Sequence, residues 1–174
     1  EIRLSLVGSE MCIRDSIERV QKRTDALLNC GGTHRPEWFH RKLGDILYEG
    51  CGVARDEAGL LDALTKAREL REEFWRDVKV VGTGNRLNQE LEKAGRVADF
   101  IELGEVMILD ALDRRESAGA HFRNEYATEA GEAKRNDGDW CAVSAWETRP
   151  DGTKVRHSEP LSFSLIDLQV RDYR

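Results

Sequence analysis

LNQELEKAGRVADFIELGEVMILDAL, residues 87–112, decides the fold. Leu91, Ala94, Ala98, Ile101, Ile108 and Leu112 recur at helical spacings, so they line one face of a long helix. Only Glu105 interrupts that register. The helix starts around Asn85 to Asn88. It holds no proline, and its period is that of a helix rather than a strand. The spacing carries the helix on into RRESAGAHFRNEY, residues 114–126. On that extension Glu116, Gly119 and Arg123 share one stripe, and Ser117, Ala120 and His121 share the next.

The segments before it read the same way. Ile17, Val20, Thr24, Leu27 and Leu28 predict a helix that stops at Asn29-Cys30-Gly31-Gly32, because paired glycines end helices. Pro36 suits a first helical turn, and Phe39, Leu43, Ile46 and Leu47 then form one stripe up to Gly50 and Gly52. Asp56 is a good cap for a third helix, with Glu57 in its positive first turn. Leu60, Leu64, Ala67, Leu70, Phe74 and Val78 mark its buried side. Each large apolar side chain buried along these stripes contributes about 1.5–3 kcal/mol.

After Tyr126 the pattern changes. Residues 127–139 are polar and contain glycine, a loop. Trp140 to Thr148 is rich in aromatic and β-branched residues, Arg149-Pro150-Asp151-Gly152 has turn chemistry, and Thr153 to His157 returns: a β-hairpin. Leu161 to Ile166 reads as a last short strand. The fold class is therefore mainly α, an up-and-down helical bundle with a C-terminal β-hairpin extension. Its divisions fall at 17–126 for the bundle and 127–174 for the loop, hairpin and tail. Residues 1–16 stand apart. Within LSLVGSEMCIRDS, MCIRDS resembles the in-frame translation of a transposon-end sequencing adapter, so 1–16 is expected to be a non-native segment.

Composition narrows the chemistry. The 174 residues are 40% hydrophobic and 34% charged, with net charge −6. An acidic chain lacks the basic face a nucleic-acid binder needs. No apolar run approaches the roughly 18 residues of a membrane span, so no direct insertion is expected. The four cysteines form no CxxC. Cys30, His34, His40 and Cys51 fit no common zinc spacing, so no metal is expected. Gly82-x-Gly84 has no third glycine and sits between helices, which reads as a loop rather than a dinucleotide fingerprint. GxSxG, HExxH and GxxxxGK[ST] are all missing from the sequence.

RRESAGAHFRNEY resembles the ESRGAHxRxDYP segment of succinate dehydrogenase and fumarate reductase flavoprotein subunits, shared in similar form by L-aspartate oxidases. RTDALLN, FHRKLGDILYEGCGVARDEAGL, LREEFW and LNQELEKAGRVADFIELGEVMILDAL resemble the helical domain of the dehydrogenase branch. HFRNEYATEAGEAKRNDGDWCAVSAWE, HSEPLSF and the terminal RDYR resemble its tail. Two departures stand out: Ala118 replaces the usual arginine, and Asn124-Glu125 replaces the usual acidic step before tyrosine.

The resemblance implies an oxidoreductase that moves a hydride from succinate to FAD. Its electrons go to an iron–sulfur subunit and a membrane-anchored quinone site. It also implies a peripheral place on the cytoplasmic face of the inner membrane. In the family the FAD and substrate motifs lie upstream of these residues. The chain is therefore expected to be the C-terminal part, inactive alone, with FAD in the full-length subunit and none here. No catalytic, cofactor or metal residue is assigned. Glu116, Ser117, Gly119, His121 and Arg123 match the motif and are assigned to an interface with the missing FAD-binding domain or a neighbouring subunit. Gly119 would allow close approach there, with charged residues setting the register. The alternatives are a fumarate reductase or L-aspartate oxidase fragment, and an independent helical interaction module.

Overall fold

The computed structural model describes residues 2–166 and 168–169, with the backbone alone for 2–12. Four long helices run in order: α1 Ile2–Asn29, α2 Pro36–Gly50, α3 Glu57–Asp77 and α4 Gln89–Asp113. Their N-termini follow capping chemistry. Pro36 occupies the first turn of α2. Asp56 Oδ1 accepts from Gly59 N at 2.8 Å, and Asn88 Oδ1 accepts from Glu90 N and Leu91 N at 3.0 and 3.1 Å. Each cap satisfies donors that the first helical turn leaves free.

Contacts along the helices give an up-and-down bundle. Arg68 and Arg71 of α3 reach Glu105 and Glu102 of α4, so these two helices are antiparallel. Lys93 meets Glu37, and further along α4 Phe100 meets His40, so α2 and α4 run parallel. Arg23 of α1 bonds Asp99 at 2.5 Å.

The core is two apolar clusters that meet at Ile46 and Leu47. One holds Leu27, Phe39, Leu43, Leu70, Phe74, Val78, Ala94, Val97, Ala98 and Ile101. The other holds Leu60, Ala63, Leu64, Ala67, Ile108 and Ala111. Phe39 and Phe74 pack edge to face with ring centres 5.2 Å apart, a favoured aromatic geometry. The α3 stripe expected from its spacing is buried in full. Glu105, the break in the α4 stripe, is also buried, and Arg68 and Arg71 bond its carboxylate.

Two strand pairs complete the fold. β1, Ala54–Arg55, pairs in parallel with β2, Phe122–Arg123. A 3₁₀ turn, Asn124–Tyr126, and a short helix α5, Asp137–Trp140, follow. β3, Ala142–Thr148, then pairs antiparallel with β4, Lys154–Pro160. The turn closes with Arg149 N donating to Thr153 O at 2.9 Å, as the Pro-Asp-Gly sequence requires.

Three expectations need correction. First, α4 does not continue into residues 114–121. Ala111 O and Leu112 O, which a continuing helix would bond to residues 115 and 116, instead accept from Arg123 Nη1 at 2.9 and 3.1 Å. A guanidinium replaces the next helical turn. Second, 161–166 forms no strand. Leu161 N donates to Cys141 O at 2.9 Å and extends the ladder by one bond, after which pairing ends. Third, Trp140 lies in α5 rather than in the hairpin. α1 is helical from Ile2, with no break at Ile17. The RDYR ending lies outside the described residues.

Candidate functional site

The residues that match the family motif fold into a polar knot at the C-terminal end of α4. Glu116, Ser117 and Arg123 are 2%, 0% and 2% exposed. Their polar atoms bond within the chain. Ser117 Oγ accepts from Arg123 N at 2.8 Å and donates to Arg123 O at 3.1 Å. Glu116 Oε1 accepts from Arg114 Nε at 2.9 Å, and its Oε2 accepts from Asn136 N at 2.8 Å. Arg123 Nε donates to Glu125 Oε2 at 3.1 Å. The other oxygen of Glu125 accepts from Glu57 N at 2.5 Å, at the start of α3. Partial burial pushes the Glu125 carboxyl up. The Glu57 N–H and the Arg123 guanidinium outweigh that and hold it below its ordinary range.

Gly119 has a backbone reason. Ala118 N donates to His121 O at 2.8 Å and His121 N to Ala118 O at 3.1 Å, closing a two-residue turn. Gly119 takes φ +59° at its first corner, where L-residues are strained. A Cβ there would meet nothing within 4 Å. Backbone conformation, rather than contact inside this chain, therefore selects the glycine.

His121 is half-buried. Its Nε2 lies 3.1 Å from Arg114 O and its Nδ1 3.3 Å from Arg55 Nη1. A guanidinium only donates, so Nδ1 accepts and Nε2 carries the proton. Burial lowers the His121 pKa, with Arg55, Arg114 and Arg123 adding to the effect against the Arg114 carbonyl. The ring is held neutral. Arg55 reaches it because β1 pairs with β2.

All five motif residues come together, but as an internal clamp with an exposed tip at Gly119 and Ala120. The sequence reading missed Arg55, Glu125, Lys134 and Asn136. Lys134 O accepts from Ser117 N at 2.9 Å. No local spacing links these residues to the motif.

Between this knot, α4 and the hairpin lies a cleft of about 810 Å³, lined in part by Arg68, Arg115, Arg123, Tyr126, Trp146 and Lys154. The charges around it are largely matched: Arg68 with Glu105, Arg123 with Glu125, Lys154 with Glu102.

The glycine loop before α4 does not fit the flavin pyrophosphate. The glycine loop before α4 is filled by its own cap. Asn88 Nδ2 donates to Val81 O and Thr83 O, and it would lie 2.8 Å from a Cβ on Gly82. Asn88 Oδ1 takes the α4 N–H groups that would face a phosphate, and Glu90 and Glu92 add negative charge there. Among the described residues, ligand atoms of His34, Glu73 and Asp77 come within 4.8 Å of one another, rather than the Cys30, His34, His40, Cys51 set. His34 Nδ1 is taken by Asp77 Oδ2 at 2.5 Å.

Comparison with known proteins places this geometry. Residues 40–173 match the family model described as fumarate reductase flavoprotein C-term. The succinate dehydrogenase flavoprotein subunit of Bacillus subtilis is 25% identical over 158 residues, 90% of this chain and 26% of that protein. The fumarate reductase flavoprotein subunit of Escherichia coli is 30% identical over 116 residues, 67% of this chain and 19% of that protein. The structure of E. coli quinol fumarate reductase superposes with TM-score 0.77 at 25% identity, covering 91% of this chain and 26% of that one. Adenylylsulfate reductase from Archaeoglobus fulgidus shares the fold alone, with TM-score 0.69 at 17% identity over 90% of this chain and 26% of that one. The chain thus spans about a quarter or less of the length of these proteins. With most of its length matched by the family model, the chain belongs to the fumarate reductase flavoprotein C-terminal family.

Proposed function

We propose that the chain is the C-terminal region of a succinate dehydrogenase flavoprotein subunit. The whole subunit would oxidise succinate to fumarate with FAD and pass electrons through an iron–sulfur subunit to a membrane-anchored quinone site. It would sit peripherally on the cytoplasmic face of the inner membrane. Among the described residues no helix is long and apolar enough to cross a membrane. Flavin and dicarboxylate would be held by the part of the subunit outside this chain, a reading supported by the glycine loop before α4 being filled by its own Asn88 cap.

The supporting observation is the length of the match. Dehydrogenase subunits from B. subtilis and three Rickettsia species align over 155–158 residues, 89–90% of the chain. Fumarate reductase subunits from Haemophilus influenzae, E. coli, Serratia and Proteus vulgaris align over 104–116 residues, 60–67%. Identity favours the second reading, a fumarate reductase, at 28–31% against 22–26%. The two enzymes run one reaction in opposite directions, so the chemistry is shared.

Within the subunit, the exposed tip at Gly119 and Ala120 would touch the flavin-binding body or a neighbouring subunit. Glu116, Ser117, His121 and Arg123 would hold that tip in place.

The test uses the flavoprotein subunit that carries this chain. Succinate oxidation with an artificial acceptor should outpace fumarate reduction by a reduced viologen. The reverse ratio selects the fumarate reductase reading, and turnover of neither dicarboxylate sinks both. The chain by itself should give no calorimetric heat with FAD or succinate; binding of either would refute the division of labour.

A further inference from the structure

We infer that the cleft between the knot, α4 and the hairpin is a binding site for a small aromatic anion, a ring that carries a phosphate or carboxylate group. The site is separate from the flavin and dicarboxylate chemistry proposed for the whole subunit. At about 810 Å³ the cleft has the size of a small-molecule pocket. Its wall holds four cations, Arg68, Arg115, Arg123 and Lys154, against two carboxylates, Glu57 and Asp113. Asp113 is already engaged by Arg156 at 2.8 Å. Glu105, Glu125 and Glu102, which pair with Arg68, Arg123 and Lys154, are not part of the wall. The wall thus carries cations whose counter-ions stand behind it.

Pairing matches these charges but leaves donors over. The Arg123 side chain is 3% exposed. Its Nε bonds Glu125, and its Nη1 bonds Ala111 O and Leu112 O. Nη2 has no hydrogen bond among the described residues and is not one of the sealed, unpartnered atoms. The cleft that Arg123 lines is where it opens. Lys154, 7% exposed, donates to Glu102 and to Thr148, both at 2.9 Å, which leaves one of its three N–H donors free. Arg115 is exposed and forms no hydrogen bond or ion pair among the described residues. An anion in the cleft would collect these donors, and a charge-assisted bond to a nearly buried cation is stronger than one in open water.

The rest of the wall calls for a ring. Trp146, Tyr126, Leu109 and Leu112 line the same cleft. The Trp146 indole is fixed by its bond to Asp110, and the Arg123 guanidinium lies 5.5 Å from the centre of the Tyr126 ring. Aromatic walls gain most from a planar apolar body. Inorganic phosphate and succinate offer none, so an anionic ring is the class this cleft selects.

The experiment titrates phenyl phosphate and benzoate, by calorimetry, into this chain and into the flavoprotein subunit that carries it. At least one should bind saturably, one per chain, and the tighter of the two identifies the acid group. Inorganic phosphate and succinate should bind about tenfold more weakly or not at all, since they bury no ring. Arg115→Gln should leave the melting temperature of the unliganded chain unchanged, because no bond inside the chain is lost. It should weaken binding about tenfold, and Arg115→Glu should abolish it. Failure of both aromatic anions to bind the chain overturns the inference. So does binding that survives Arg115→Glu, or binding to the chain that the subunit lacks, which would mean the cleft is covered there. Succinate binding as tightly as phenyl phosphate would make charge alone the determinant and overturns the choice of a ring. None of these readouts uses dicarboxylate turnover, so the inference and the functional reading above fail separately.

Discussion

Arg123 ends one helix and braces the start of another. Its guanidinium bonds the last carbonyls of α4, and through Glu125 it ties them to the first turn of α3. The side chain is 3% exposed, so its loss strands those carbonyls away from water. Arg123→Ala should cost about 3 kcal/mol in denaturant unfolding, and Arg123→Lys should recover little, since an ammonium lacks the fork. Glu105→Ala is expected to cost about half as much. Its partners Arg68 and Arg71 keep 49% and 32% exposure and can turn to water. Equal losses would mean that burial of the carboxylate, rather than the fate of its partners, sets the scale. Of this knot, Glu116, Ser117, Gly119, His121 and Arg123 were legible as a group. Their roles were not, because a hydrogen-bond partner such as Asn136 is chosen by the path of the chain, and spacing carries no record of it.

At the level of elements, α2 begins where α3 ends. Gly32 N donates to Val78 O and Lys79 N to His34 O, at 3.2 and 2.8 Å. Asp77 then gathers the His34 ring, the Thr33 hydroxyl and the Thr33 N–H. The His34 and Thr33 hydrogen bonds hold its carboxyl down to about 2, from an ordinary 3.8. A carboxylate with a depressed folded pKa contributes stability that is full above its unfolded value and is lost as pH falls toward the folded one. Acid unfolding should therefore steepen between about pH 4 and pH 2, and Asp77→Asn should flatten that window. An unchanged acid profile would show the clamp to be energetically idle. The cap at Asp56 and the α3 stripe could be read from the sequence, since each depends on neighbours within one or two helical turns. The end of α4 at Asp113 could not, because the group that ends it comes from Arg123, beyond the turn.

Across the whole molecule, bundle and hairpin are held by different forces. The two core clusters contain no hairpin residue. The hairpin meets α4 through Lys154–Glu102 at 2.9 Å, Arg156–Asp113 at 2.8 Å and a bond from Trp146 Nε1 to Asp110 Oδ1 at 2.8 Å. Raising salt to 1 M shortens the screening length from about 10 Å to about 3 Å. Hairpin amides should then exchange faster and Trp146 emission should shift, while the far-UV helical signal holds. Hairpin protection that survives 1 M salt would point to apolar contact instead. The sequence by itself determined the helices, their apolar faces, the hairpin and the family likeness, because periodicity, capping and turn chemistry act between near neighbours. Only the tertiary structure decided that the motif folds inward as a clamp. It also decided that the open apolar face lies between α2 and α4, and that ion pairs join the hairpin to α4. Each of those depends on which distant residues the folded chain brings together.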